Sequence, residues 1–491
     1  MLKQFILVII GILILSIIGF YNGYPLVYSD TGTYINSGFE KIVPFDRPIT
    51  YGLFLSFFSF HYSAWFVVLF QNLLTAFVIL ELLKTFFHNY SYDKIRKIYC
   101  LILLFLVVFT GIGWYSNQLM PDFFAPLTIL CFFILIIRSN IPLASWIGLS
   151  LILLYSAISH FSHLMIGTVL VFVCIVLKYL LKEKLKDLSI KRIGYTGFIV
   201  LSGWFILPAI NYALEQEYTL SKGSHVFLMG HLTDTGILEE FLKENCDTPE
   251  YKDCKLCAYK EILPRDAAGF IWAGEILEKT GNWKDSKTEY NKIIRGTLNK
   301  PKYLFANMYK SFLYGLIQLT DNKIGHGLSA YRENSAPYGQ IHWRFHNELN
   351  NYLNSLQNKS DGADFNLDIL NRFHFSLLII CLFITLLLLT GTIRSKLDPT
   401  TVIFLVFVVA SIVINSFITA GLNSPYGRLQ TRVVWLFPLS IIIILIKNQT
   451  IIIQDVVSFL GVKDKLVIEY FKVCLFIFLL LLVFLLAWQG R

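Results

Sequence analysis

The most constraining feature of this sequence is a series of apolar runs, each near the length needed to cross a lipid bilayer. About 20 consecutive apolar residues span the hydrocarbon core as an α-helix. The chain is 55% hydrophobic and 15% charged, whereas a soluble domain typically carries about 25% charged residues. The sequence therefore predicts an all-α polytopic membrane protein.

We expect about eleven transmembrane helices, from the length of each apolar run and the polar breaks between them. The predicted spans cover about residues 4–20, 62–83, 99–114, 123–138, 142–158, 163–181, 195–213, 374–393, 400–421, 431–447 and 466–488.

One long polar segment divides these spans into two groups. Its patterns are helical, with no strand-rich stretch and no internal repeat. We therefore expect a helical extracytoplasmic domain between two membrane domains. The predicted parts are an N-terminal membrane domain at 1–213 with about seven spans and a first outer loop at 21–61, the helical domain at 214–373, and a C-terminal membrane domain at 374–491 with about four spans.

Basic residues mark alternate loops, as expected for loops that stay in the cytoplasm. If the N-terminus with Lys3 is cytoplasmic, all of these loops fall on that side and the C-terminus lies outside. No small-residue cleavage site precedes Tyr21, so the first run is expected to stay as a span. A composition rich in Lys, Ile and Asn suggests an AT-rich bacterium, so we expect a multi-pass protein of the bacterial inner (plasma) membrane. The basic residues are Lys84, Lys94, Arg96, Lys97, Arg138, Lys178, Lys182, Lys184, Lys186, Lys191, Arg192, Arg394, Lys396, Lys447, Lys463 and Lys465.

The net charge of +9 does not indicate a nucleic-acid partner. The basic residues lie in short loops between apolar runs, so the expected partner is the bilayer itself. The sequence contains no Walker loop, dinucleotide fingerprint, Gly-x-Ser-x-Gly elbow or His-Glu-x-x-His motif. Nothing therefore points to a soluble nucleotide cofactor.

Three cysteines, Cys246, Cys254 and Cys257, lie together in the polar segment. An oxidising compartment permits a disulfide, either Cys246–Cys254 or Cys246–Cys257. We prefer Cys246–Cys257, since a Cys254–Cys257 bond would close a strained small ring. A zinc site would need a fourth ligand, and no histidine lies close in sequence.

Polar residues at the outer ends of the spans form the candidate site. Charge at membrane depth is costly, so such a group at one interface is a functional-site hypothesis by default. The candidates are Asp30, Asp46, Arg47, Asp122, His160, His163, Arg428 and Arg432.

Asp30 is the candidate catalytic residue. A carboxylate can remove the proton of an attacking hydroxyl in the transition state, and we expect partial burial to raise its pKa and strengthen it as a base. The alternative is an N-cap of a short helix that begins at Thr31. Asp46 and Arg47 are either a second acidic position or an ion pair that shapes the loop.

Asp122 and the two histidines are candidate substrate contacts. Asp122 can instead cap the fourth span, and one residue can do both. His160 and His163 occupy a tight turn, where they can share a metal, contact an anionic or sugar substrate, or simply form hydrogen bonds at the interface.

Arg428 and Arg432 are the candidate phosphate ligands. They are four residues apart, so a helix places them on one face. They also lie at a helix N-terminus, where free N–H groups favour anions. Arginine binds phosphate oxygens in a bidentate fork. The alternative is that both side chains extend to the membrane surface without a ligand.

These features together resemble the GT-C superfamily of integral membrane glycosyltransferases. The likeness rests on Asp30 in a first outer loop, a basic turn before a late span, some eleven spans and an outer helical domain. The stretch Asn117-Gln-Leu-Met-Pro-Asp122 is also similar to the second outer loop of bacterial members. Many members carry adjacent acids in the first loop, whereas Thr31 follows Asp30 here and the next acid is Glu40.

The resemblance implies a polyprenyl-phosphate-linked sugar as donor and a glycan, lipid or protein hydroxyl as acceptor. Hexosyl or pentosyl transfer would occur on the extracytoplasmic face with inversion. Asp30 would be the base, and Arg428 and Arg432 would hold the leaving phosphate. The family leaves room for a divalent cation, but the missing second acid gives no ground to assume one.

Two other functions stay open. A lipid-linked glycan polymerase or ligase also uses outer Arg and His residues on a scaffold of many spans, although an essential Asp in the first loop favours the transferase. A transporter or flippase predicts mid-membrane polar residues and an inverted repeat. We find no repeated half, and the mid-span polar residues are few: Asn211, Asn415, Gln71 and Asn72.

Overall fold

The computed structural model describes residues 2–460, apart from 182–184, 186–187, 391 and 422–423. The predicted eleventh span at 466–488 lies outside the described residues. So do these residues named above: Lys182, Lys184, Lys186, Lys463 and Lys465.

The part of the chain that the structure describes is helical, with one isolated bridge between Leu26 and Gln118. Among these residues, seven helical segments are long and apolar enough to cross a membrane. The protein is therefore an integral, multi-pass, all-α membrane protein. The seven segments are Leu2–Asn22, Ala64–Phe87, Phe161–Leu180, Ile190–Glu215, Asp368–Leu389, Pro399–Gly421 and Gly427–Lys447.

The first membrane region runs to Glu215. Short helices in its loops connect longer ones that pack side by side. Its helices are α1 (Leu2–Leu15), α2 (Ile17–Asn22), α3 (Thr31–Glu40), α4 (Thr50–Phe58), α5 (Ala64–Phe87), α6 (Tyr92–Phe109), α7 (Ile112–Ser116), α8 (Phe124–Ile137), α9 (Leu143–Ile158), α10 (Phe161–Leu180) and α11 (Ile190–Glu215).

The ten predicted spans that lie within the described residues each overlap a helix, but not all reach membrane length. The spans predicted at 123–138 and 142–158 correspond to the shorter apolar segments Pro121–Ile137 and Leu143–Ile158. The span predicted at 99–114 is divided, because Thr110 is extended and ends α6 after Phe109. The structure thus supports a multi-pass protein without fixing the number of spans at eleven.

The middle region begins with a compact group of helices around its own apolar core, which includes Val226, Leu238, Phe241 and Ile293. Of the two pairings that the sequence left open, the structure contains Cys246–Cys257, and Cys254 is a buried free thiol. The helices are α12 (Ser224–Asp234), α13 (Ile237–Asn245), α14 (Ala267–Trp272), α15 (Glu275–Thr280), α16 (Asn282–Asp285), α17 (Lys287–Leu298), α18 (Pro301–Thr320), α19 (Ala336–Arg344) and α20 (Leu349–Leu353).

The last described helices are α21 (Asp368–Thr390), α22 (Pro399–Gly421), α23 (Gly427–Val434), α24 (Leu436–Lys447) and α25 (Gln449–Leu460). Helix α18 of the middle region runs antiparallel along α22. The Ser416 hydroxyl donates to the Gly315 carbonyl at 2.6 Å, and Ser311 donates to Gly421 O at 3.3 Å. The other face of α18 exposes apolar side chains, among them Phe305, Met308, Tyr309, Phe312, Leu316 and Ile317.

Four predicted loop residues come together at one end of the bundle. Arg138 and Lys84 both pair with the buried Glu81, at 2.8 and 2.6 Å. Arg192 donates to Ile137 O at 2.7 Å, and Lys447 donates to Phe86 O at 2.8 Å. These residues share one end, which we call the Glu81 end. The opposite end is the Asp30 end, and it holds the first loop.

Close backbone contacts pack the first loop onto the bundle. Helix α3 crosses α4 at Gly38 and Gly52, where a Cβ on Gly38 would lie 1.9 Å from the Gly52 carbonyl oxygen. On its other side α3 meets α19, and a Cβ on Gly32 would lie 2.5 Å from the Ala336 backbone. Glycine at these positions therefore sets how closely α3 can approach its neighbours.

We expect Gly38→Ala to lower the melting temperature of the purified protein, because overpacking a close contact typically costs about 1–3 kcal/mol. Gly339→Ala in α19 is the matched control, since a Cβ there meets no atom within 4 Å. The control should be neutral or slightly stabilising. Equal melting temperatures for the two variants would contradict the proposed packing.

Candidate functional site

Six charged side chains from distant parts of the sequence meet at the Asp30 end. Each carboxylate has at least one arginine partner, and the arginines link them into one network. We call this group the charge cluster. Its members are Asp30, Asp46, Arg47, Asp122, Arg428 and Arg432.

Asp30 occupies the more open side of the cluster, with 27% of its side chain exposed. Helix α3 does begin at Thr31, but the Asp30 side chain makes no capping hydrogen bond. Its Oδ2 lies 3.2 Å from Arg47 Nη1 and 3.6 Å from Arg428 Nη2. The carboxylate therefore faces two guanidinium groups rather than the helix N-terminus.

The expectation that partial burial raises the pKa of Asp30 is wrong. Burial alone would raise it, but the charges of Arg47 and Arg428 outweigh burial and hold the pKa of the carboxyl below its ordinary value. Asp30 is thus ionised near neutral pH, and it is a weaker base than the sequence suggested.

Arg47 joins the two acids of the first loop. Its Nε donates to Asp46 Oδ2 at 2.8 Å, and its Nη2 contacts the same oxygen. The guanidinium also lies over the Tyr34 ring, 4.9 Å from the centroid. Asp46 and Arg47 therefore form an ion pair that shapes the loop, and this pair positions Asp30 as well.

Asp122 and Arg432 form the deepest pair of the cluster. Arg432 Nη1 donates to Asp122 Oδ1 at 3.2 Å, and their side chains are 1% and 3% exposed. Arg432 Nη2 also donates to Ser162 Oγ at 2.9 Å and Asn415 Oδ1 at 3.4 Å. Asp122 lies within a short 3-10 turn, Pro121–Phe123, ahead of α8. Its side chain forms ion pairs with Arg428 and Arg432.

Arg428 lies on the same face of α23 as Arg432, one turn closer to the helix start. Its Nη2 is 3.6 Å from Asp30 and its Nε is 3.9 Å from Asp122 Oδ1, both longer than a good hydrogen bond. The guanidinium stacks on Tyr28, 3.9 Å from the ring centroid. Within the described residues, its buried Nε and Nη1 have no hydrogen-bond partner. Arg428 thus keeps unused donors for an anion.

His160 is a neutral residue at the rim of the cluster. Its Nδ1 accepts from the Ser162 backbone N–H at 3.2 Å, which caps α10. Burial and then the charge of Arg432 lower the pKa of His160 to about 3. The imidazole can therefore donate or accept a hydrogen bond near neutral pH, but it carries no charge.

His163 lies deeper and is fully buried. Its Nδ1 contacts Ser159 Oγ at 3.1 Å and Ser156 O at 3.2 Å. The two imidazoles are 5.2 Å apart between ring centroids. Over the described ranges, no group of three or more His, Cys, Asp and Glu side chains is arranged to hold a metal ion.

Sequence reasoning missed three members of the surroundings: Tyr28, Ser162 and Asn415. Tyr28 and Ser162 lie within two residues of predicted site residues, so a wider window would have included them. Asn415 was noted only as a mid-span polar residue. It donates to Leu429 O and Gln430 Oε1, each at 2.8 Å, which joins α22 to α23.

Comparisons with protein-family models, with curated proteins and with solved structures found no match for this chain.

We expect Asp122→Asn to destabilise the protein strongly, because breaking a buried ion pair typically costs about 3–5 kcal/mol. The matched control is Asp361→Asn, whose fully exposed carboxylate pairs with Arg332 at the surface. Thermal unfolding in nanodiscs would measure both.

The double variant Asp122→Asn/Arg432→Gln should recover part of the loss, because it no longer leaves a buried guanidinium without its acid. If Asp122→Asn unfolds at the same temperature as Asp361→Asn, the buried pair does not stabilise the fold as described.

Proposed function

We propose that this protein is a membrane glycosyltransferase that moves a sugar from a polyprenyl-phosphate donor to a hydroxyl acceptor. The observation that carries the proposal is the pair Arg428 and Asp30. A buried guanidinium with unused donors lies 3.6 Å from an ionised, partly exposed carboxylate at one end of a membrane bundle. A leaving phosphate needs a guanidinium donor and an attacking hydroxyl needs a carboxylate, and this end of the bundle offers both.

The positive-inside rule supports an orientation with the Glu81 end in the cytoplasm, because Lys84, Arg138, Arg192 and Lys447 meet there. Asp30 would then lie on the extracytoplasmic side. The sequence composition favours a bacterial inner membrane as the location.

In the proposed reaction, the acceptor oxygen attacks the anomeric carbon of the donor sugar. Its bond to that carbon forms as the bond from the carbon to the phosphate oxygen breaks. The polyprenyl phosphate leaves with the electron pair. Asp30 takes the acceptor proton, and solvent removes it afterwards. Attack from the face opposite the phosphate inverts the anomeric centre.

Arg428 would hold the leaving phosphate through its unused Nε and Nη1. A phosphate there also neutralises one of the two positive charges that lower the pKa of Asp30. Donor binding would therefore raise the basicity of Asp30 at the moment when it is needed. This coupling reconciles the low resting pKa of Asp30 with a role as base.

Arg432 and Asp122 would act as positioning residues, because both are almost fully buried and bonded to each other. Their pair fixes α23 and thereby the place of Arg428. His160 would offer a neutral hydrogen bond to the substrate, while the buried His163 supports the turn beside it.

The mid-span polar residues lend no support to a transport pathway. Gln71 donates to Ser116 O and Gln118 O at 2.9 and 3.0 Å. Asn72 donates to Ser16 Oγ at 2.9 Å. Gln71 thus holds the turn between α6 and α8, and Asn72 holds the junction of α1 and α2, and neither bond indicates a route across the membrane.

We expect Asp30→Asn to reduce transfer by ~10²–10⁴, the usual contribution of a general base. The measurement compares envelope lipids, glycans and glycoproteins by mass spectrometry in a deletion strain rescued with each variant. Asp361→Asn is the control for an acidic surface residue, and it should rescue fully. Full rescue by Asp30→Asn at normal expression would exclude Asp30 as the base.

The pH dependence of kcat/KM should be flat between about pH 5 and 8, because neither Asp30 nor His160 changes charge there. The Asp30 carboxylate is present above its ordinary pKa of 3.8 and is lost only as the pH falls through its lowered value. Arg428→Gln removes one positive charge, so its acid limb should move to higher pH. Coincident acid limbs for the two proteins would contradict the coupling.

A further inference from the structure

Four aromatic rings form a continuous wall beside the charge cluster. Phe45 comes from the first loop, Phe227 from α12, Trp272 from α14 and Trp283 from α16. Ring centroids are 6.4 Å apart for Phe45–Trp283, 5.6 Å for Trp272–Trp283 and 5.7 Å for Phe227–Trp283. We call these four side chains the aromatic wall.

Two of the four rings are exposed to solvent, while Phe227 and Trp283 are partly buried against the core of the middle region. Trp272 is 56% exposed and Phe45 is 36% exposed. Tryptophan is highly buried on average, and exposed apolar area gathered in one place marks an interaction site. The wall is also fixed in place, because a Cβ on Gly223 would lie 2.6 Å from Phe45 O and 2.8 Å from the Trp283 ring.

The aromatic wall adjoins the charge cluster at the first loop. Phe45 directly precedes Asp46, which Arg47 links to Asp30. A ligand with its reacting hydroxyl at Asp30 could therefore extend along Phe45 to the tryptophans. Lys222 lies 5.2 Å from the Phe45 ring centroid and pairs with Glu215, which adds polar groups at this edge.

The surroundings of the wall do not suit lipid chains. Exposed charged or amide side chains flank both tryptophans, and a hydrocarbon environment would leave them without water. The exposed face of α18 differs, since its seven exposed large apolar residues lie along one helix of 20 residues. The flanking polar residues of the wall are Glu275, Glu278, Lys279, Asn282, Lys284 and Asp285.

We propose that the aromatic wall binds pyranose rings of a saccharide acceptor. The C–H groups on one face of a pyranose pack against an aromatic ring, while its hydroxyls at the edge need polar partners, and the wall offers both. This inference rests on the proposed function and narrows it. The acceptor is then a glycan or a glycan-bearing molecule, and not a bare protein or lipid hydroxyl.

The test measures saccharide binding to the full-length protein in nanodiscs. The probes are oligosaccharides of six units, built from glucose, mannose, galactose or N-acetylglucosamine. Saturation-transfer NMR and tryptophan fluorescence detect their binding. At least one probe should bind the wild type. Trp272→Ala should weaken that binding at least about tenfold, and Trp272→Phe should retain most of it. Trp343→Ala is the matched control, because Trp343 is 65% exposed on α19, where it packs against Arg344.

Three outcomes would overturn the proposal. The first is no binding of any probe at millimolar concentration. The second is equal binding by wild type and Trp272→Ala. The third is strong quenching of Trp272 by brominated phospholipids in the nanodisc, which would assign the wall to the membrane.

Asp30→Asn separates this inference from the proposed function. It should reduce transfer by ~10²–10⁴ yet still bind the saccharide through the aromatic wall. If Asp30→Asn loses transfer while Trp272→Ala binds the saccharide normally, the proposed role of the aromatic wall is wrong and the proposed function is retained. If Trp272→Ala loses saccharide binding while Asp30→Asn still transfers sugar at the wild-type rate, the catalytic role of Asp30 is wrong and saccharide binding by the aromatic wall is retained.

Discussion

The buried ion pair between Asp122 and Arg432 is the interaction on which the candidate site depends. A charge in this position is tolerated only with a partner and further hydrogen bonds. Arg432 takes its partners from three separate places: Asp122 before α8, Ser162 in α10 and Asn415 in α22. The pair therefore joins the first membrane region to the last and fixes the start of α23.

The exposed half of the cluster follows from this buried half. Arg428 is one helical turn before Arg432, so fixing α23 places Arg428 between Asp122 and Asp30. The first loop is fixed separately, since Leu26 N donates to Asn117 O at 2.9 Å and Leu119 N donates to Leu26 O at 2.8 Å. Because α23 and the first loop are each held in place, Arg428 keeps N–H donors that form no hydrogen bond with the described residues.

Much of the fold could be predicted from the sequence, because membrane-length apolar runs and basic loops are local signals. An i, i+4 spacing was enough to place Arg428 and Arg432 on one helix face. The pKa of Asp30 could not be predicted in the same way. The direction of this pKa shift depends on the charges of Arg47 and Arg428. Arg428 is nearly 400 residues from Asp30 in the sequence, and no local sequence pattern predicts that the two side chains lie close together. The place of α18 beside α22 could not be predicted for a related reason, since the contact between Gly315 and Ser416 joins residues 101 apart in the sequence.

We propose that Arg428 holds a phosphate beside Asp30. The most direct measurement is the affinity of the purified protein for a polyprenyl phosphate without its sugar, followed by native mass spectrometry. Arg428→Gln should weaken binding at least about tenfold. Asp30→Asn should bind as tightly as wild type or more tightly, because it releases Arg428 from a competing carboxylate. Equal affinity of the wild type and Arg428→Gln would show that Arg428 does not bind the phosphate.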